Sequence, residues 1–311
     1  MIETTNEAAL IALVVPLATA VVQLSHSAYR RFRHYATTRC VWRIANMLTT
    51  EEEPSNDDMW ALRLRFPMGV IFDSTLFVAE KIYGTSLYRL ALIIEVCELD
   101  YELLERIEQS RGSSRVPQLA KLSALTYNTI IAEYVEEYMK EENHNARFYA
   151  LASFVSARPD RAVQYIARFK SPLSRYEVAV LTQLLQRTGA PIAYTPLLAS
   201  QNRNLQMIGI YLSGYFSIVE AESHLQRLAE SIDEEVAYMA LQTLCSLRGK
   251  LSTPQVENGL RHLSLHLRHS FILHAVQNCY SLPSCAHLLT AEERTLFTQQ
   301  LNSYKCRIVC N

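Results

Sequence analysis

One helical stripe returns along the second half of the chain at a near-constant interval, and a repeat of that kind leaves few folds open. Phe148, Leu151, Ala152 and Val155 are spaced i, i+3, i+4 and i+7, which is one face of an α-helix. The spacing returns 30 residues later in Val178, Leu181, Thr182 and Leu185, and after another 30 in Ile208, Tyr211, Leu212 and Tyr215. Val236, Met239, Ala240 and Thr243 follow after 28 residues, and a looser copy, Ile272, Ala275, Val276 and Cys279, after 36. Behind each stripe comes a second apolar segment: Val163 and Ile166; Ile192, Leu197 and Leu198; Leu225 and Leu228; Val256, Leu260, Leu263 and Leu267. The unit is therefore a helix pair. One pair cannot bury its own apolar face, so neighbours must stack.

Helix-end signals fall where such pairs need them. Ser174 with Glu177, and Thr290 with Glu293, read as capping boxes. Asp233 is placed to cap the helix carrying Val236, and Pro254 after Thr253 suits a first helical position. Gly189 and Gly249 stand where helices should stop. Only eight glycines interrupt 311 residues, and no stretch alternates polar and apolar residues as a half-buried strand would. The expected fold class is all-α: an α-solenoid of degenerate helix pairs, preceded by a helical cap and an N-terminal transmembrane helix.

That first helix is expected from residues 8–29, which carry no acidic or basic side chain other than His26. As a helix they would span about 33 Å, against a hydrocarbon core of roughly 30 Å. Nine Leu, Ile or Val residues lie between Ala8 and Leu24. Glu3 and Glu7 precede the run, and Arg30, Arg31, Arg33, Arg39 and Arg43 follow it. Positive residues stay cytoplasmic, so everything after Tyr29 is expected inside. A buried soluble helix and a cleaved signal peptide, with Ala18-Thr19-Ala20 as its cleavage site, remain as alternatives, although the acidic lead is wrong for a signal peptide.

The whole-chain balance of 30 basic against 31 acidic residues provides no field for a polyanion, which excludes nucleic acid as the expected partner. Seven cysteines, at irregular spacing and without a CxxC pair, read as free thiols in a reducing compartment.

Residues 84–107 (GTSLYRLALIIEVCELDYELLERI), SPLSRYEVAVLTQLL from Ser171 and NLQMIGIYLSGYFSIVEAESHLQRL from Asn204, together with the Arg-flanked anchor, resemble a family of bacterial membrane-anchored HEAT-repeat proteins. The likeness implies a fold and a topology and transfers no active site. It also implies a family without an assigned function, some members of which accompany membrane glycosyltransferases. HEAT units carry an arginine ladder; Arg147 and Arg175 match it, while Gln206 and Glu235 occupy comparable places. The expected organisation is an outside N-terminus and anchor (1–29), a juxtamembrane helical segment and linker (30–83), a helical cap (84–142) and the HEAT-like repeats (143–311). Glu51 to Asp58 is read as a polar breaker.

Few residues suggest chemistry. No nucleotide-binding, nucleophile-elbow or zincin spacing occurs. His262 and His266 have the i, i+4 spacing of helical zinc ligands, with His269 and His274 beyond, but a solvated face is the better reading. Cys279, Cys285, Cys306 and Cys310 crowd the C-terminal end with His287 and are read as free thiols. Glu133, Tyr134, Glu136, Glu137 and Tyr138, continued by Glu141 and Glu142, form an acidic strip interleaved with tyrosine, a docking candidate for a basic segment. The expected function is a non-enzymatic, membrane-tethered scaffold or adaptor for protein partners, without cofactor or metal. The alternative is a regulatory subunit of, or an enzyme in, a membrane polysaccharide or envelope assembly system such as a glycosyltransferase complex.

Overall fold

The structure, a computed structural model, describes residues 27–50, 52–82, 85–110, 115–187, 189, 193–248, 253–277 and 287–309. Every regular element among them is helical. Of the anchor expected over residues 8–29, residues 8–26 lie outside the described residues, as do Gly249, Ile192, Cys279, Cys285 and Cys310. No helix among the described residues is long and apolar enough to cross a membrane. The chain divides into two compact units between Ala157 and Arg158.

The first unit begins with α1 (27–49), α2 (Asn56–Arg65) and α3 (Met68–Lys81). Ser55 caps α2, accepting from the Asp58 amide, so the expected breaker ends at Ser55 and Asn56 to Asp58 form the first helical turn. These helices are more than a linker. Ile44, Leu62, Ile71 and Phe72 are all fully buried and belong to the core of this unit. Helices α4 (Thr85–Val96), α5 (Asp100–Gln109) and α6 (Val116–Thr126) follow. Helix α6 is buried almost all round and packs against α3, α4, α5 and the later α8, which is why its sequence lacks a polar face. Lys121 is buried with it, its ammonium donating to the Ile82 carbonyl at 3.1 Å and lying 5.7 Å from the centre of the Tyr149 ring. Helix α7 (Thr129–Tyr134) runs into a 3-10 helix, Val135–Lys140, before α8 (His144–Ala157). Helix α8 carries the first stripe, yet it closes this unit by packing on α6; the compact division falls fifteen residues beyond the expected start of the repeats at 143.

The second unit is built from helices that alternate short and long as far as α16: α9 (Ala162–Arg168), α10 (Arg175–Arg187), α11 (Tyr194–Ala199), α12 (Arg203–Tyr215), α13 (Glu222–Leu228), α14 (Glu234–Arg248), α15 (Thr253–His262) and α16 (Leu265–Gln277), followed by the long α17 (Ala291–Val309). Helix α10 packs on α12, α12 on α14, α14 on α16 and α16 on α17. The short helices fill the places between, α11 meeting α12 and α13, and α13 meeting α14. Helices α9 and α13 are built alike, each with seven residues entered through a three-residue 3-10 turn.

The expected caps are formed. The Ser174 amide donates to Glu177 Oε2 at 2.8 Å and the Glu177 amide to Ser174 Oγ at 3.3 Å; Thr290 and Glu293 repeat this reciprocal pair at 2.8 and 3.2 Å. Asp233 Oδ1 accepts from the Glu235 and Val236 amides, both at 3.1 Å. Gly189, just past α10, adopts the left-handed conformation with φ of 65°.

Three sequence assignments need correction. Tyr215 and Val163 are exposed: Tyr215 ends its helix beyond the packed turns, and in α9 the buried pair is Ala162 and Ile166, which leaves Val163 at the edge of that face. Leu267 belongs to α16 and not to the helix of Val256 and Leu260, because the chain breaks at Leu263-Ser264. There the Ser264 amide donates to Glu234 Oε2 at 2.9 Å. The third correction concerns polar pairing between helices. The Arg203 guanidinium, from the start of α12, meets Asp233 at 2.7 Å and the Leu173 carbonyl at 2.9 Å. Arg268 bridges α16 to Glu293 and the Leu288 carbonyl at 2.8 and 2.9 Å, and Arg175 reaches Glu235 at 3.3 Å while stacking on Tyr238. Buried Asn204 completes the row, accepting from the Leu173 amide and donating to the Phe169 and Ser171 carbonyls. A row of polar contacts therefore joins helix starts: Arg175 belongs to it, and Arg203, three residues before Gln206, supplies the contact that Gln206 does not.

Candidate functional site

The acidic strip is positioned by a short helix with a strong start. Asn128 Oδ1 accepts from the Ile130 and Ile131 amides at 2.9 and 3.4 Å, while its Nδ2 donates to Asp100 at 3.1 Å, fixing α7 against α5. Burial pushes the Asp100 carboxyl above its ordinary range, partly offset by that Asn128 contact. Ile131, Ala132 and Val135 turn inward, and Glu133, Tyr134, Glu136 and Glu137 are left on the surface. Arg147 donates to the Glu141 and Glu142 carbonyls at 2.8 and 2.9 Å and pins the far end of the strip.

The two tyrosines part company. Tyr134 is 44% exposed, but Tyr138 is only 3% exposed and its hydroxyl shares a 2.8 Å hydrogen bond with Ser110 Oγ. Tyr138 is thus a core residue and drops out of the docking candidates, because the tighter 3-10 turn carries it onto the side of Val135. What the strip offers is four carboxylates or aromatics facing water: Glu133, Tyr134, Glu136 and Glu137.

The histidine candidates separate. His262 ends α15 and His266 lies in the first turn of α16, so their i, i+4 spacing does not lie on one helix, and both are exposed. His274 is half-buried, with Nε2 3.2 Å from the Gln242 carbonyl and from Ser246 Oγ; burial lowers its pKa. Among the described residues no three His, Cys, Asp or Glu side chains are grouped to hold a metal ion. Cys40, Cys97 and Cys245 are buried free thiols. Of the C-terminal cysteines, none has a described side chain.

Two surface features were not singled out from sequence. Tyr215 and Phe216 form an exposed edge-to-face pair at the end of α12, with ring centres 5.1 Å apart and Val219 and Ile232 exposed in the turns that follow. Between α1 and the end of α2 lies a cleft of about 510 Å³ lined by Arg39, Trp42, Arg43, Asn46, Arg65 and Phe66. Its sequence signal was present: Phe32, Tyr35, Arg39 and Trp42 recur at i, i+3, i+7 and i+10, off the buried face of Ala36, Cys40, Ile44 and Met47.

Fold and surfaces define an all-helical protein of two compact units that presents charged and aromatic faces to solvent. Compared with known protein families, curated proteins and solved structures, the chain matches none.

Proposed function

We propose that this protein is a membrane-tethered interaction scaffold. In this reading its second unit is a short solenoid of degenerate HEAT-like helix pairs, residues 8–29 span the bilayer once, and the helical remainder lies on the cytoplasmic side. The observation that carries the reading is the serial packing of α10, α12, α14 and α16 with polar contacts joining their starts. In such stacks each repeat touches mainly its neighbours, which leaves continuous side surfaces for a partner and keeps sequence-distant side chains from converging on one catalytic point. Five arginines directly after an apolar run support the tether and its orientation.

The partner surface we favour is the strip of Glu133, Tyr134, Glu136 and Glu137, suited to a protein segment rich in lysine and arginine. Affinity purification of the full chain from solubilised membranes tests this. Charge reversal of Glu133, Glu136 and Glu137 together is expected to weaken partner capture and reduce its salt sensitivity while the helical circular dichroism is retained. Unchanged recovery removes the strip. Turnover of a substrate, abolished by one point substitution, replaces the scaffold reading with an enzymatic one. A reporter fused after Asn311 is expected to be cytoplasmic, and activity on the outer side sinks the topology.

A further inference from the structure

We infer that the α1–α2 face is a second membrane contact, which docks on anionic lipid headgroups and grips their phosphates in the cleft between the two helices. The inference rests on the tethered reading for its setting but on its own observations for its substance.

Helix α1 has two apolar sides. One enters the core through Cys40, Ile44 and Met47. The other points to water and carries Phe32, Tyr35 and Trp42, the last 68% exposed. An ordinary surface helix would be polar there. These aromatics are interleaved with arginine and with nothing acidic: no Asp or Glu occurs between Glu7 and Glu51. On α2, Trp60 is 46% exposed and Leu64 is more so, with Arg63 stacked on the Trp60 ring at 5.2 Å. Both tryptophans of the chain therefore stand on these two helices.

The charges are available for a ligand. Arg33 and Arg63 are committed to Asp73 and Glu98. Arg39, Arg43 and Arg65 line the cleft, and among the described residues none of the three is ion-paired; Arg39 lies only over the Tyr35 ring at 5.5 Å. Three guanidiniums, the Asn46 amide and an indole around about 510 Å³, without a lining carboxylate, form a donor set that suits a phosphate. Indole and phenol rings favour the headgroup depth, and each arginine near an anionic leaflet strengthens binding about fivefold. A soluble polyanion would meet the same charges, but it has no use for outward Phe32 and Leu64, whereas a bilayer interface does.

The test uses the full chain with W60F, which leaves Trp42 as the single indole, added to vesicles carrying bromine on their acyl chains. Trp42 emission is expected to be quenched more by vesicles containing phosphatidylglycerol than by phosphatidylcholine alone, with the increment falling as salt rises. R39Q/R43Q/R65Q, at two exposed and one partly buried position, none ion-paired among the described residues, should lose that increment, about fivefold in partitioning per arginine, with its helical spectrum intact. Equal quenching by both lipids, or a triple variant that behaves like its parent, overturns the inference. So does emission that ignores vesicles but moves with an oligonucleotide. Flotation with neutral vesicles reports the N-terminal tether separately: lost flotation with anionic quenching intact counts against the tether alone.

Discussion

Gly209 lies in the middle of α12, where glycine ordinarily weakens a helix by up to about 1 kcal/mol relative to alanine. Here the usual sign reverses. A Cβ at this position would stand 2.9 Å from Leu197 Cβ and 3.1 Å from Leu198 Cγ on α11, and Leu197 Cβ is fixed to the backbone. Gly209→Ala is therefore expected to destabilise the second unit by about 1–3 kcal/mol, read as a lowered urea midpoint, and a raised midpoint would refute the close approach. Lys121 makes a comparable point about charge. Burial pushes its pKa down to about 8 from an ordinary 10.5, Glu80 opposing the shift. Between those values the unfolded chain holds the proton and the folded one releases it, so stability rises with pH across that window. Lys121→Met should abolish the rise, and should stabilise the protein below pH 8 by roughly 1–3 kcal/mol. Paired urea titrations of parent and variant across that range decide it. Neither effect can be read from residue type, since only the facing atoms give a helical glycine or lysine its sign.

At the scale of elements, the stripes were legible because each is a property of one short stretch. Val178, Leu181, Thr182 and Leu185 are all buried, and so are Phe148, Leu151, Ala152 and Val155. Leu185→Ala or Leu212→Ala is expected to cost about 2–5 kcal/mol, against about 0.5 kcal/mol or less for Tyr215→Ala on the same stripe but outside the packing. Thermal denaturation of the three variants separates them; equal losses would mean that Tyr215 is packed after all. The caps at Ser174, Asp233 and Thr290 were equally legible, being contacts between residues three apart. The break at Leu263-Ser264 was less so, because a histidine- and leucine-rich run continues across it. Part of what marks the break is Glu234, thirty residues away, accepting the Ser264 amide. Of the acidic strip, four members were read correctly as surface, and Tyr138 was not. A 3-10 turn rotates successive residues differently from an α-helix, so the tyrosine spaced to share the outer face turns into the core.

Across the whole molecule, two compact units imply separable cores. Leu212→Ala should raise amide hydrogen exchange in the second unit while α6 keeps its protection, and Phe72→Ala should do the reverse. Exchange that rises everywhere in both variants would indicate one cooperative body. By itself the sequence determined the helical class, the periodic helix starts in the second half, the caps and the buried stripes, since hydrophobic period and capping chemistry act within a few residues of each other. It also carried the charge asymmetry around residues 8–50. The tertiary structure decided what those elements meet. It placed α8 with the first unit, made α1, α2 and α3 part of a core, and joined helix starts through Arg203 with Asp233 and Arg268 with Glu293. It also brought Arg65 beside Arg39 and Arg43 across one cleft. Such pairings depend on the distance between side chains far apart along the chain, a quantity that local spacing does not contain and that only packing fixes.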